Sequence, residues 1–140
     1  DTITNSVNSA YPVWNTIGVN EYAKCSNPSK ALDDWQSVFA ANNAISPFFL
    51  GYDVTRQPDH EENWYLIHNR VLFFGLNLMG DLGRISDDYY KVKLTLQMKW
   101  VKRTIRKNTK EGSENIDAVV FMAHGYTSDN DDRHLNRFFI

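Results

Sequence analysis

The sequence predicts an α/β fold, a mixed β-sheet flanked by helices, from three observations. Two β-rich runs meet at a short polar turn in "NWYLIHNRVLFFGLNL", residues 63–78, which is typical of a hairpin. A further apolar run, "IDAVVFMAH" at residues 116–124, predicts another buried strand. Apolar residues also repeat at helical spacing before and after the hairpin. This mixture of strands and helices along one chain is typical of the α/β class.

Length and composition favour one domain and indicate neither a nucleic-acid partner nor a membrane span. The chain has 140 residues, enough for a single hydrophobic core. We expect residues 1–10 to form a polar tail and residues 11–140 to form the domain. The net charge of −2 gives no reason to expect a nucleic-acid partner. No apolar stretch approaches the roughly 18 residues of a membrane span. Because the chain begins at Asp1 rather than Met, we expect a processed N-terminus, as in secreted or organelle-lumen proteins; the compartment itself is unknown.

The first half of the chain predicts a strand, a helix and an irregular connection. Residues 12–17, "PVWNTI", predict a buried strand that ends at Gly18. Residues 27–44 predict a helix with Pro28 in its first turn and with Asn27 or Ser29 as the cap. Four apolar residues of this helix are expected on one face: Leu32, Trp35, Val38 and Phe39.

The second half predicts a central strand and a second helix. Residues 71–78 and the strand at 116–124 are apolar at successive positions, so we expect both of their faces to be covered. Ser86 is the predicted cap of the second helix. The predicted buried positions of that helix are Tyr90, Leu94, Met98 or Val101, and Ile105.

Four segments, taken in order, resemble the calcineurin-like metallophosphoesterases. "PVWNTIGVNEY" is similar to that family's strand and Gly-Asn-His-Glu or Gly-Asp-Asn-Glu loop, and "NWYLIHNRVLFFGLNL" to its core hairpin. "LQMKWVKRTIRKN" resembles the family's helix that opens with Gln, and "IDAVVFMAHGY" the strand that delivers a metal-binding His. The resemblance covers about residues 10–125. It implies that the sheet is part of a calcineurin-like α/β/β/α sandwich.

The resemblance also implies which residues would contact metal. His124 takes the place of an imidazole ligand; from the residue alone, a hydrogen-bonded histidine at a strand end is the other interpretation. Asn20 would coordinate only if its loop shifted by one residue. The family's Asp-x-His and Gly-Asp motifs would lie before residue 1 and its Gly-His-x-His motif after residue 140, so we expect residues 11–140 to be part of such a domain.

The loop after Gly18 argues against catalysis. The family places an oxygen ligand directly after this glycine, and this sequence has Val19, whose isopropyl group cannot coordinate a cation. Asn20 stands where many members carry a His that protonates the leaving group, and an amide cannot supply that proton. We therefore expect a degenerate, non-catalytic domain that serves as a binding or structural subunit, with no cofactor. The alternative is a fragment of an active phosphoesterase that uses a pair of Mn, Fe or Zn ions.

The remaining charged residues are expected on the surface of the protein. His60, Glu61 and Glu62 are expected in a solvated loop. Residues 91–110 hold eight Lys or Arg and no acid, which indicates either a solvated helix face or docking to an acidic partner or an anionic surface. The remaining partners are expected to be other protein chains or missing parts of the same chain. The segment that contains Asp129, Asp131 and Asp132 lacks the glycine and the closing glutamate of an EF-hand loop. We therefore do not expect these aspartates to bind Ca²⁺.

Overall fold

The computed structural model describes residues 14–18, 21–22, 25–40, 52–78, 87–110 and 115–123. It confirms the α/β class, with a mixed four-stranded sheet and two α-helices. Among the described helices, none is both long and apolar enough to cross a membrane. The elements are, in order, α1 (Pro28–Trp35), a π-helical segment (Gln36–Ala40), β1 (Val54–Gln57), β2 (His60–His68), β3 (Val71–Leu76), α2 (Asp87–Asn108) and β4 (Ala118–Ala123).

The sheet has the strand order β1-β2-β3-β4, and only its last pair is parallel. The predicted hairpin is confirmed. β2 and β3 are joined by Asn69 and Arg70, whose φ angles of 48° and 65° are the positive values that a two-residue hairpin turn requires. The Arg70 guanidinium also donates to the Asn115 carbonyl at 2.8 Å and to the Asp117 carboxylate at 2.6 Å. The turn is thereby linked to the start of β4.

The main core lies between α2 and one face of the sheet. Leu72, Phe74 and Leu76 alternate along β3 and are fully buried, as a strand covered by a helix requires. The predicted apolar face of α2 is confirmed at Leu94 and Val101, both buried. The partly buried residues around this core are Tyr65, Ile67, Trp100, Ile105, Ile116, Val119 and Phe121.

On the other face, the indole of Trp64 takes the place of a side chain on Gly75. The two residues are paired across β2 and β3, so their side chains would share one face. A Cβ on Gly75 would come within 2.5 Å of Trp64 Cζ2, closer than real carbon contacts allow. Trp64 is 1 % exposed, and its Nε1 donates to the Asn15 carbonyl at 3.0 Å.

The predicted strand before Gly18 is wrong for the part that the structure describes. Residues 14–18 form no strand. They cover the Trp64 face, and the Asn15 carbonyl accepts from an indole instead of from a sheet ladder. Ile17 is buried with Tyr22 against the apolar face of α1. An apolar, β-branched composition suits this covering segment as well as it suits a strand, which explains the error.

The predicted α1 begins as expected and then changes its period. Asn27 is the cap, since its Oδ1 accepts from the Lys30 amide at 3.1 Å, and Pro28 follows in the first turn. Val38, expected on the buried face, is 40 % exposed. It lies in the π-helical segment, whose wider turn rotates it away from the face that Leu32 begins. The side chain of Phe39, together with Ser86 and the side chain of Tyr90, lies outside the described residues.

Within the described residues β4 is packed on one face, and cover for its other face by a partner or by another part of the chain stays a prediction. Val119 and Phe121 pack against the core under α2. Val120 and Met122, on the opposite face, are 37 % and 38 % exposed. Within the described residues β4 pairs with β3 alone, so its outer edge has no strand neighbour there. In the described part of the chain, β4 therefore presents both an unpaired edge and an exposed apolar face.

Candidate functional site at the carboxyl end of β3

The candidate site lies where the parallel strands β3 and β4 end. Leu76, the last residue of β3, pairs with Ala123, the last residue of β4. Asn77 follows the first of these strands, and His124 follows the second in sequence. The carboxyl ends of parallel strands are where α/β sheets place their binding sites.

A cluster of buried amides occupies this position. Asn63, Asn77 and Gln97 are at most 1 % exposed and come from β2, the end of β3 and α2. The Asn63 Oδ1 accepts from the Asn77 backbone amide at 2.7 Å and from Gln97 Nε2 at 3.1 Å. Gln97 Nε2 also donates to the Asn77 carbonyl at 2.9 Å. The cluster locks α2 to the strand end because each buried polar group gains a partner.

Tyr22 attaches the segment after Gly18 to this cluster. Its ring is 2 % exposed, and its hydroxyl accepts from Asn77 Nδ2 at 3.0 Å. Tyr22 and Ala123 each lie close in sequence to a predicted metal contact. Tyr22 is two residues after Asn20, and Ala123 is one residue before His124. The residues that flank both predicted metal contacts therefore meet at one end of the sheet. Asn20 and His124 themselves lie outside the described residues, and so does Val19.

A buried ion pair lies beside the amide cluster. Lys93 Nζ, on α2, is 2.6 Å from Glu62 Oε1, on β2, and the two side chains are 2 % and 0 % exposed. Gln36 Nε2, from the π-helical segment, donates to the other Glu62 oxygen at 2.8 Å. His60 Nδ1 is 3.7 Å from Glu62 Oε1. The Lys93 ammonium also lies 5.7 Å from the centroid of the Tyr22 ring, within range of a cation–π contact.

This pair corrects two expectations from the sequence. Glu62 was expected in a solvated loop but lies in β2, fully buried. Lys93 belongs to the basic run at 91–110, yet it is the buried member of that run. One feature of the sequence indicates that Lys93 is buried: at helical spacing it lies beside Leu94 and Gln97, on the inner side of α2. Nothing in the sequence identifies Glu62 as its partner.

The environment lowers the pKa of Glu62. Burial by itself raises the pKa of a carboxyl, but the neighbouring His60 imidazole and the Lys93 ammonium outweigh it and bring the pKa from 4.5 to about 2. Since the folded pKa lies below the unfolded one, ionised Glu62 stabilises the fold above about pH 4.5. That contribution is lost as the pH falls toward 2. A shift of this size corresponds to about 3 kcal/mol.

We expect this contribution to appear as a pH-dependent difference between the wild type and Glu62→Gln. Near pH 6 the wild type should be the more stable protein, because only it carries the charge that compensates Lys93. The difference should shrink between about pH 4.5 and pH 2, where Glu62 becomes protonated. Urea denaturation of both proteins across this range measures it. A difference that stays constant with pH would contradict the lowered pKa.

The described polar side chains of this site pair with one another. Its amides donate to and accept from one another, and its only described charges are paired. The described residues include no group of three His, Cys, Asp or Glu side chains placed to bind a metal ion, so they do not supply the donor set of a metal pair. Asp129, Asp131 and Asp132 lie outside the described part of the chain. Comparisons with family models, with curated proteins and with solved structures find no match for this chain.

Proposed function

We propose that the chain is a metallophosphoesterase-like domain without hydrolytic activity that serves as a binding or structural subunit of a larger assembly. The observation that carries the binding role is β4, which offers an unpaired edge within the described residues and the exposed apolar side chains of Val120 and Met122. An edge of this kind is a template for an added strand. The partner is a strand from another protein chain or from another part of the same polypeptide.

The absence of hydrolysis is argued from the loop after Gly18. The segment that Tyr22 fastens to the sheet end carries Val19 at the place of an oxygen ligand. An isopropyl group offers no electron pair to a cation. The meeting of Tyr22, Asn77 and the end of β4 supports the family resemblance, because it sets the two flanking segments at one sheet edge. The exposed cations of residues 91–110 are a second contact surface, for a partner of opposite charge.

We expect the purified chain to self-associate through β4 when no partner is present. In size exclusion it should elute above its 16.2 kDa monomer mass, increasingly so at higher concentration. Val120→Lys with Met122→Lys should restore the monomer, since charge on an edge strand blocks further pairing. The matched control is Val92→Lys with Leu96→Lys, which adds equal charge to exposed apolar positions of α2. It should associate as the wild type does.

Two results would contradict this proposal. A monodisperse wild-type monomer with a cooperative thermal melt would show that β4 needs no partner. Hydrolysis of p-nitrophenyl phosphate that requires added Mn²⁺ and disappears in His124→Ala would favour the alternative, a fragment of an active phosphoesterase. Both measurements use the same purified chain.

A further inference from the structure

Between residues 91 and 108, the charged side chains on the solvent-facing half of α2 are all cations, and we name this set the basic stripe. At about 100° per residue its members fall within an arc of about 160°. From Lys91 to Lys107 the stripe extends about 24 Å along the helix axis. No Asp or Glu lies between residues 91 and 108. The basic stripe consists of six exposed residues: Lys91, Lys99, Lys102, Arg103, Arg106 and Lys107.

The charge of the basic stripe is not neutralised by neighbours in the described residues. None of its six members forms a salt bridge there, whereas buried Lys93 pairs with Glu62 and exposed Lys30 pairs with Asp34. The stripe does not follow from an overall basic composition either, because the chain has a net charge of −2. The six cations therefore form a local field that attracts an anionic surface.

The composition of the outer half of α2 decides between kinds of anionic partner. Interfaces between proteins are enriched in Arg and aromatic residues and depleted in Lys. Base recognition in nucleic acids relies on Asn and Gln beside Arg. Over residues 91–108, the part of α2 whose side chains are described, the exposed residues include four Lys, two Arg, no aromatic residue and no amide. Such a Lys-rich surface suits a fluid layer of anionic headgroups, which rearrange around each ammonium without fixed partners.

Two apolar side chains at one end of the stripe support the same choice. Val92 and Leu96 are one turn apart on the same outer half and are 60 % and 42 % exposed. Apolar side chains beside cations allow a helix surface to enter the headgroup region of a bilayer. We propose that the basic stripe, together with Val92 and Leu96, binds the anionic face of a phospholipid bilayer. This proposal specifies the partner of one contact surface in the proposed function. It rests on that function because it takes α2 as a contact surface.

Cosedimentation of the full chain with vesicles tests the proposal. We expect binding to phosphatidylcholine vesicles that contain phosphatidylserine, little binding to pure phosphatidylcholine, and loss of binding at high salt. Each cation near such a surface contributes about fivefold in affinity, or about 1 kcal/mol. Lys99→Gln should therefore weaken binding about fivefold, and the triple variant Lys99→Gln, Lys102→Gln and Arg106→Gln on the order of 100-fold.

The matched control is Lys30→Gln, which removes one exposed cation that lies on α1 and is paired with Asp34. It should change vesicle binding less than twofold. Glutamine preserves helix propensity, so all variants should retain the wild-type thermal melt. The proposal is overturned if the wild type ignores phosphatidylserine vesicles at low salt, or if the triple variant binds them normally. Tighter binding to a DNA duplex or to polyglutamate would assign the stripe to nucleic acid or to an acidic protein instead. Vesicle binding tests this proposal, and association at β4 tests the proposed function. The two are measured separately, so one can be contradicted without the other.

Discussion

Replacing Glu62 by Gln is expected to lower the free energy of unfolding by about 3–5 kcal/mol. The substitution keeps the shape of the side chain but leaves the Lys93 ammonium, 2 % exposed, without an opposite charge. Lys93→Met should cost a similar amount, because it leaves the buried Glu62 carboxylate without its cation. Chemical denaturation near pH 7, where Glu62 is ionised in the wild type, measures both effects.

Two further variants distinguish the effect of burial on stability from the effect of ion pairing. The Lys30–Asp34 pair has nearly the same separation, 2.7 Å, but its side chains are 67 % and 64 % exposed. Lys30→Met should therefore cost less than about 1 kcal/mol. The double variant Glu62→Gln with Lys93→Met should be more stable than either single variant, since no uncompensated charge remains. Single variants at the buried pair that are as mild as Lys30→Met would show that the pair is not desolvated.

Gly75→Ala is expected to destabilise the protein by about 3 kcal/mol. The added methyl group would overlap the indole of Trp64 at Cε2, Nε1 and Cζ2. The indole cannot move aside freely, because it is 1 % exposed and its Nε1 is bonded to the Asn15 carbonyl. Urea denaturation should report the loss as a lower midpoint with an unchanged slope.

A double-mutant cycle identifies the cause of this loss. Trp64→Phe removes part of the bicyclic ring and is itself destabilising, since it leaves a cavity on that face. Combined with Gly75→Ala, it should cost clearly less than the sum of the two single variants, because the methyl group fills part of the cavity. Strict additivity would mean that the overlap with Trp64 is not what makes alanine unfavourable at position 75.

The elements that the sequence predicted correctly are those with local causes. The turn at Asn69 and Arg70 separates two apolar runs and so marks the hairpin. Helix α2 follows from its apolar repeat at Leu94 and Val101, and α1 from the Asn27 cap. Each of these signals lies within a few residues of the structure that it specifies, so pattern alone is sufficient.

The candidate site depended on contacts between distant elements, and there the sequence was a poor guide. The sequence predicted a solvated loop at His60, Glu61 and Glu62, but β2 begins at His60 and takes Glu62 into the interior. Whether Glu62 is buried is decided by Lys93 on another element. The resemblance to metallophosphoesterases predicted Asn20 and His124 as metal contacts, and both stay predictions because they lie outside the described residues.

The connection between β3 and β4 determines how the sheet assembles. The hairpin closes over the two residues Asn69 and Arg70, whereas Val71 and its β4 partner Ala118 are 47 positions apart. Closing the longer loop costs more chain entropy, so the hairpin can form before β4 docks beside it. β4 then joins late and, with one strand neighbour in the described sheet, is released by a smaller opening than the central strands are. The strand that offers an edge to a partner therefore opens to solvent more easily than the central strands β2 and β3.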